Sequence, residues 1–261
     1  MVPAILFRKD ITTEAEFKAA QKHFSVIELR SEVLPKTLVI GRYSTLPYYK
    51  ELTLDLNNKG SRLINSAEQY NWIANFDWYE ELKDLTFETW FKAQDLPDDS
   101  TQFIVKGALN SRKFDWDNLM HAKNKADAIR IMIELSKDST IGTQQIIFRR
   151  YEPLLTYEVG NNGLPFANEW RFFYFNKKLI DFGYYWNIAK KVDHSLSGLG
   201  IDFANQVAFR ASKFSNFFSF DIAQRVDGSW RLVELNDGQS AGLSGMNPNR
   251  FYKRLRAAVM E

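Results

Sequence analysis

The residues best suited to act together chemically lie in one stretch, FSFDIAQRVDGSWRLVELNDGQ. Its Asp227-Gly228 pair is a hairpin signal between two runs of strand-forming residues. Asp221 lies six residues before that turn and Glu234 six after it, so a hairpin brings them roughly opposite. Asn236 follows Glu234 at i+2 and therefore shares its face. Two carboxylates and an amide oxygen are hard donors of the kind Mg²⁺ takes. That ion keeps several waters and draws its other ligands from substrate phosphates. The same pattern also occurs on plain solvated strand faces, so other segments must decide its meaning.

Phosphate chemistry needs cations, and two lysines are candidates. Lys106 ends the apolar run FIVKG, and Lys113 follows seven residues later in the polar segment ALNSRKFDWDN. An ammonium acts as a point charge on phosphate oxygens, and Gly107, Asn110 and Ser111 would let backbone N–H groups approach one. A lysine at a strand edge is also, more commonly, a solvated charge. In ANEWRFFYF, Glu169 and Arg171 alternate with Trp170 and Phe172, which sets carboxylate and guanidinium on one face. That pair reads either as a surface ion pair or as a carboxylate for ribose hydroxyls beside a guanidinium for phosphate or carboxylate.

Composition removes competing chemistries. The 261 residues include no Cys, which excludes disulfides, thiolate zinc sites and a Cys nucleophile. Three His (His23, His121 and His194) argue against a His-rich metal centre, and His194, in the polar run KKVDHSLSG, reads as solvated. Thirty-four Lys and Arg against 32 Asp and Glu give a net charge of +2, too little to attract a nucleic-acid backbone. No apolar run approaches the ~20 residues that span a bilayer. MVPAILFRKD carries its charge after the apolar run, the reverse of a secretory signal, so a cytoplasmic protein is expected. Neither GxxxxGK[ST] nor GxGxxG occurs.

Several elements must position these groups. Short apolar runs at PAILF, SVIEL, TLVIG and RLINS read as strands. They alternate with helices over EAEFKAAQKHF, behind a cap at Thr13 or its neighbour, and over PYYKELTLDLNNKG, ending near Gly60. AEQYNWIANFDWYEELKDL reads as helical with breaks. That alternation predicts a parallel sheet. QDLPDDSTQ (94–102) marks a boundary, beyond which hairpins dominate. NKADAIRIMIELSKD is an amphipathic helix with Ile129, Met132 and Ile133 on its apolar stripe, and TQQIIFRRYEPL is a strand. EWRFFYFNKKLIDFGYYW is a hairpin, a helix follows near 200–213, and the Asp221–Glu234 hairpin closes the series.

The order Lys, Lys, strand, Glu-x-Arg hairpin, Asp, Glu-x-Asn resembles the ATP-grasp superfamily over about residues 100–245. The strings LPYYKEL, KGSRLINSAEQYNW, EWRFFYF and VELNDGQSAGL are most similar to its R-two-K clade. The resemblance implies an α/β and α+β architecture: two α+β lobes closing over ATP, behind a small α/β domain. The expected division is 1–95, 96–150 and 151–261. It implies phosphate binding by Lys106 and Lys113, adenine at a hinge of Phe148, Arg149, Arg150 and Tyr151, and ribose at Glu169. Magnesium would sit at Asp221, Glu234 and Asn236, and an acyl phosphate at Arg171. The implied cofactors are ATP and Mg²⁺. The implied reaction joins a small-molecule, peptide or protein carboxylate to an amine, releasing ADP and phosphate.

One departure stands out. Many ATP-grasp ligases have an Arg two residues before the first metal-binding acid, where this chain has Ser219. Arg171, Lys190 or Lys191 is then the expected replacement. Two other readings stay open: a nucleotide-binding sensor without turnover, and a nucleotidyltransferase carrying AMP on Lys106. The second usually needs Lys-x-Asp-Gly, and the string here is KGAL. The loop NDGQSAGL is expected either to meet the acceptor or to be a plain surface turn.

Overall fold

A computed structural model describes residues 2–9, 13–45, 48–189 and 195–261; Lys190, Lys191 and His194 lie outside them. The first sheet is parallel, in the order β2-β1-β3-β4: β1 (Val2–Phe7), β2 (Ser25–Ile27), β3 (Thr37–Arg42) and β4 (Arg62–Leu63). These strands are apolar without alternation because both faces are covered. Ile5, Phe7 and Ile40 pack with Phe17 and Ala20 of α1 (Glu14–His23). Leu6 and Val39 pack on the other side with Leu52 and Leu56 of α2 (Tyr49–Asn57). The Thr13 hydroxyl caps α1 by accepting the Glu16 N–H at 3.2 Å. Gly60, at φ 64°, turns the chain after α2. The break in the next helical run falls at Phe76 (φ 68°), between α3 (Ala67–Ala74) and α4 (Trp78–Leu82).

The second sheet is antiparallel, in the order β5-β8-β6-β7: β5 (Thr89–Trp90), β6 (Phe103–Gly107), β7 (His121–Ala122) and β8 (Ile146–Arg150). Trp90 pairs with Phe148, so this sheet recruits a strand from ahead of the polar segment at 94–102. A 3-10 turn (Lys113–Asp115) and α5 (Trp116–Leu119) fill the excursion between β6 and β7. The helix α6 (Lys125–Ser136) covers the sheet through Ala128, Ile131 and Leu135, whereas Ile133 is 47% exposed. The buried stripe is thus rotated from the expected Ile129–Met132–Ile133 face, and Met132 packs at its edge.

The ribbon of β9 (Thr156–Val159) and β10 (Pro165–Ala167) leads into the third sheet. Its order is β12-β11-β13-β14, all antiparallel: β11 (Glu169–Phe175), β12 (Lys178–Tyr184), β13 (Phe217–Gln224) and β14 (Trp230–Asp237). Positive φ at Asn176 and Lys177 makes the tight turn between β11 and β12. One face of this sheet is aromatic, with Phe172 stacked on Phe220 at 5.3 Å, and it packs on Ala204, Val207 and Ala208 of α7 (Gly198–Ala211). The other face is divided. Phe173, Phe175 and Phe217 pack with α8 (Pro248–Met260), which returns against α1, while Glu169, Arg171 and Asp221 hold the far end. Among the described residues no helix is long and apolar enough to cross a membrane.

Candidate active site

Asp221 and Glu234 are direct Cα partners on the β13–β14 ladder, as the turn arithmetic required, and Asn236 stands opposite Ser219. Arg171 is the register partner of Asp221 on β11. Its Nε and Nη2 donate to Oδ1 and Oδ2 of Asp221, each at 2.7 Å, a two-pronged pairing between two buried residues. The Lys106 ammonium donates to Glu234 Oε1, and Asn236 Nδ2 donates to Oε2 at 3.0 Å. Burial opposes ionisation of Glu234, but Lys106 and Asn236 override it and hold the carboxyl down to about 2. Glu169 meets the opposite fate: burial, then the Asp221 carboxylate, pushes it up to about 8. Burial also lowers the Lys113 ammonium, although Glu169 and Glu234 pull the other way.

Several of these groups line one cleft of about 880 Å³ between the second and third sheets. Lys106, Lys113, Glu169, Asp221 and Glu234 line one part of it, and Arg149, Arg150 and Tyr151 line it along β8 and its exit. Ile104, Met120, Leu164 and Val233 supply apolar wall, with the Trp116 ring beside them. A flat apolar ring with an anionic tail matches such a lining.

The expectation for Phe148 is corrected. It is 1% exposed and packs with Phe103, Val105 and Ile131 in the core between the second sheet and α6. Strand alternation is the reason: on β8, if 149 faces the cleft, 148 must face the helix. Arg149 does face the cleft, but it is engaged in the structure. Its Nη1 donates to the Val233 carbonyl and its Nη2 to Thr86 Oγ1, with the guanidinium 5.0 Å from the Phe87 ring centroid. Burial lowers Arg149 to about 10. It ties β8 to β14 across the lobes.

Ser219 is fully buried and its hydroxyl has no partner among the described residues. Of the three basic residues expected to replace the missing cation, Arg171 stands nearby as the register partner of Asp221, and Lys190 and Lys191 lie outside the described residues. The loop after β14 is no plain surface turn, since Asp237 and Gln239 are buried. Arg42 Nη1 donates to the Gly238 carbonyl at 2.6 Å and Nη2 to the Ala241 carbonyl at 3.0 Å. Arg171 Nη1 reaches the next carbonyl, Gly242, at 3.0 Å. Two buried arginines therefore pin this loop between the first sheet and the carboxylates.

Tyr185 and Trp186 were not among the expected site residues. The Tyr185 hydroxyl accepts from Lys113 Nζ at 2.6 Å, and the two ring centroids lie 4.6 and 5.3 Å from that atom. In the sequence the YYW run is only the end of a hairpin, because aromatic type alone does not separate packing from cation binding.

The donor set fits magnesium in kind: two carboxylates facing each other and an adjacent amide. Among the described residues no three Asp, Glu, His or Cys side chains close a cage. Protein groups therefore supply part of a shell that phosphate oxygens and water would complete. Lys106 keeps the Glu234 carboxylate charged, while Arg171 places Asp221 and opposes the upward push that burial gives its carboxyl.

Comparison with known proteins agrees with this geometry. The chain spans 98% of its length against 99% of D-cycloserine synthetase DcsG, at TM-score 0.62 and 11% identity. It covers 99% of itself and 97% of D-alanyl-alanine synthetase A from Vibrio cholerae O1 biovar eltor, at TM-score 0.59 and 13% identity. The ATP-grasp ligase PsnB, solved with a minimal precursor, Mg and ADP, gives TM-score 0.55 at 12% identity, covering 100% of this chain and 98% of its own. At such identities the likeness is one of fold. Curated protein sequences give no match. The family model of the ATP-grasp domain, R-two-K clade family 3, matches residues 67–255, and the chain belongs to that family.

Proposed function

We propose that this protein is an ATP- and Mg²⁺-dependent, ADP-forming ligase that joins a carboxylate to an amine through an acyl phosphate. One observation carries the reading: Lys106 and Lys113 meet Asp221 and Glu234 at one part of a cleft whose remaining wall is largely apolar, with Arg171 paired to Asp221 beside them. Lys106 and Lys113 hold phosphate oxygens, and Arg171 holds the transferred phosphoryl group as it reaches the carboxylate. Glu169 meets the ribose hydroxyls, and Tyr151, Arg150 and the apolar wall border the adenine. Magnesium, when bound at Asp221, Glu234 and Asn236, spreads the charge of the transferring group. The chain's own part is to hold the reactants in line and exclude water.

PsnB has been solved with a precursor peptide, and the Vibrio protein is a D-alanyl-alanine synthetase. A peptide or small-molecule carboxylate and an amine are accordingly the substrate classes proposed here. A cytoplasmic location fits a reaction that consumes ATP. The nucleotidyltransferase alternative is weakened because the Lys106 ammonium is already paired with Glu234, which suits charge more than nucleophilic attack.

The test is thermal unfolding with ATP alone, Mg²⁺ alone and both. Ligand at 100 times its Kd adds ~2.7 kcal/mol, so the pair should give the largest shift. Identical melting in all three removes the nucleotide site. Incubation with pooled carboxylates and amines should release ADP and phosphate; protein-bound AMP would favour the transferase, and binding without any product the sensor.

A further inference from the structure

Tyr185 follows β12, and its backbone is fixed by donation from its N–H to the Glu169 carbonyl at 2.9 Å. Its ring stands beside two cations at once: Lys113 Nζ is 4.6 Å and Arg171 Cζ 4.7 Å from the centroid. Its hydroxyl meets Lys113 Nζ at 2.6 Å. An ammonium only donates, so the phenolic oxygen is the acceptor there and its own hydrogen points elsewhere. Among the described residues no acceptor takes that hydrogen. Burial pushes the phenol well above its ordinary range, so the hydrogen stays on the oxygen. The residue lines the cleft. A retained hydroxyl hydrogen between an ammonium and a guanidinium is a donor set for an oxyanion.

We propose that Tyr185 binds the ligand directly, donating its phenolic hydrogen to an oxygen of the terminal phosphoryl group of ATP that Lys113 also holds. The inference rests on the ligase reading above and adds a residue to it. The ring has a second task. By packing against Lys113 from one lobe and Arg171 from the other, it fixes the separation of the two cations.

The two tasks separate by substitution. Tyr185→Phe keeps the ring beside both cations and deletes only the hydroxyl, while Tyr185→Leu deletes both. Calorimetric titration of each protein with Mg-ATP and Mg-ADP reads the difference. A hydrogen bond to a charged group corresponds to about tenfold in affinity. Tyr185→Phe should therefore bind ATP about tenfold more weakly than the parent and ADP within about twofold. Tyr185→Leu should lose affinity for both, because Lys113 is no longer held. If Tyr185→Phe melts below the parent, the ATP-to-ADP affinity ratio still decides, since a smaller folded fraction lowers both alike. A parent-like ratio in Tyr185→Phe overturns the proposal and leaves the ligase reading intact. A parent that binds neither nucleotide overturns both.

Discussion

Glu169 and Glu234 line the same cleft, yet their carboxyls are driven in opposite directions, Glu169 up to about 8 and Glu234 down to about 2. Both are buried away from bulk water, so desolvation alone would raise both. The difference is Lys106, whose ammonium bonds to Glu234, while no donor among the described residues bonds to the Glu169 carboxyl. A neutral Glu169 can donate one hydrogen bond and accept another, which a carboxylate cannot. Environment separates two like residues into an ionised partner for cations and a neutral hydrogen-bonding group.

This separation has a pH consequence. The folded state holds the Glu169 proton up to about 8, whereas an unfolded chain releases it near the ordinary value of 4.5. The unfolded state therefore binds fewer protons across that window, and the Glu169 contribution to stability falls as pH rises from about 4.5 to about 8. Glu169→Gln should remove that slope. Denaturant midpoints at pH 4, 6 and 8 should converge for the variant at low pH and exceed the parent at pH 8. Parallel curves would show that Glu169 ionises normally in the fold.

Glu234→Gln is nearly isosteric, and from the strand pattern alone it should spare the fold. The geometry says otherwise. Lys106 keeps only 7% of its side-chain surface exposed, and Glu234 20%, so removing the carboxylate strands a buried ammonium. Breaking a buried pair costs about 3–5 kcal/mol, and the partial exposure of Glu234 favours the lower end. Lys106→Met combined with Glu234→Gln should recover most of that loss without recovering Mg-ATP binding. Chemical denaturation of the parent and both variants measures it; a Glu234→Gln protein as stable as the parent would mean the pair carries no net interaction.

Much of this site is legible in the sequence because strand geometry is periodic. Asp227-Gly228 sets a register, and the register sets Asp221 opposite Glu234. The Glu169-x-Arg171 spacing puts both residues on one face in the same way, and Arg171 is the partner of Asp221. What spacing does not convey is which face of a doubly covered strand meets the ligand. On β8 every residue is apolar or basic and largely buried, so Phe148 and Arg149 look equivalent until α6 is seen covering one side. Nor does local pattern reveal contacts made across long separations. Lys113 and Tyr185 lie 72 residues apart, and Arg42 reaches the Gly238 carbonyl across 196.

The Phe148 correction can be tested against its neighbour. Truncating a fully buried phenylalanine costs about 3–5 kcal/mol, so Phe148→Ala should unfold far earlier than the parent. The surviving folded protein should bind nucleotide as before. Tyr151 is half-buried, with its ring 4.5 Å from His121, and it lines the cleft. Tyr151→Ala should change stability much less and weaken nucleotide binding more. Calorimetry of both variants decides; the reverse order of effects would return Phe148 to the base site.

Arg42 is the test of whether the first sheet belongs to the machinery or merely adjoins it. It is 0% exposed, and its Nη2 meets Glu16 Oε1 at 2.8 Å as well as the Tyr43 hydroxyl at 3.0 Å. Its Nη1 donates to the Gly238 carbonyl and its Nη2 also to the Ala241 carbonyl, in the loop whose next carbonyl is held by Arg171. Arg42→Met would bury Glu16 without its guanidinium and leave both carbonyls short of a donor, at a cost of about 3–5 kcal/mol. Arg42→Lys keeps the charge, but a single ammonium cannot span a carboxylate and two carbonyls, so its stability should fall between the other two. If the loop is held from both sides, amides of residues 238–242 should exchange faster with solvent in both variants, at denaturant-free conditions where the rest of β14 stays protected. Exchange that speeds up in α1 and leaves 238–242 unchanged would make Arg42 a core ion-pair residue with no influence on the site.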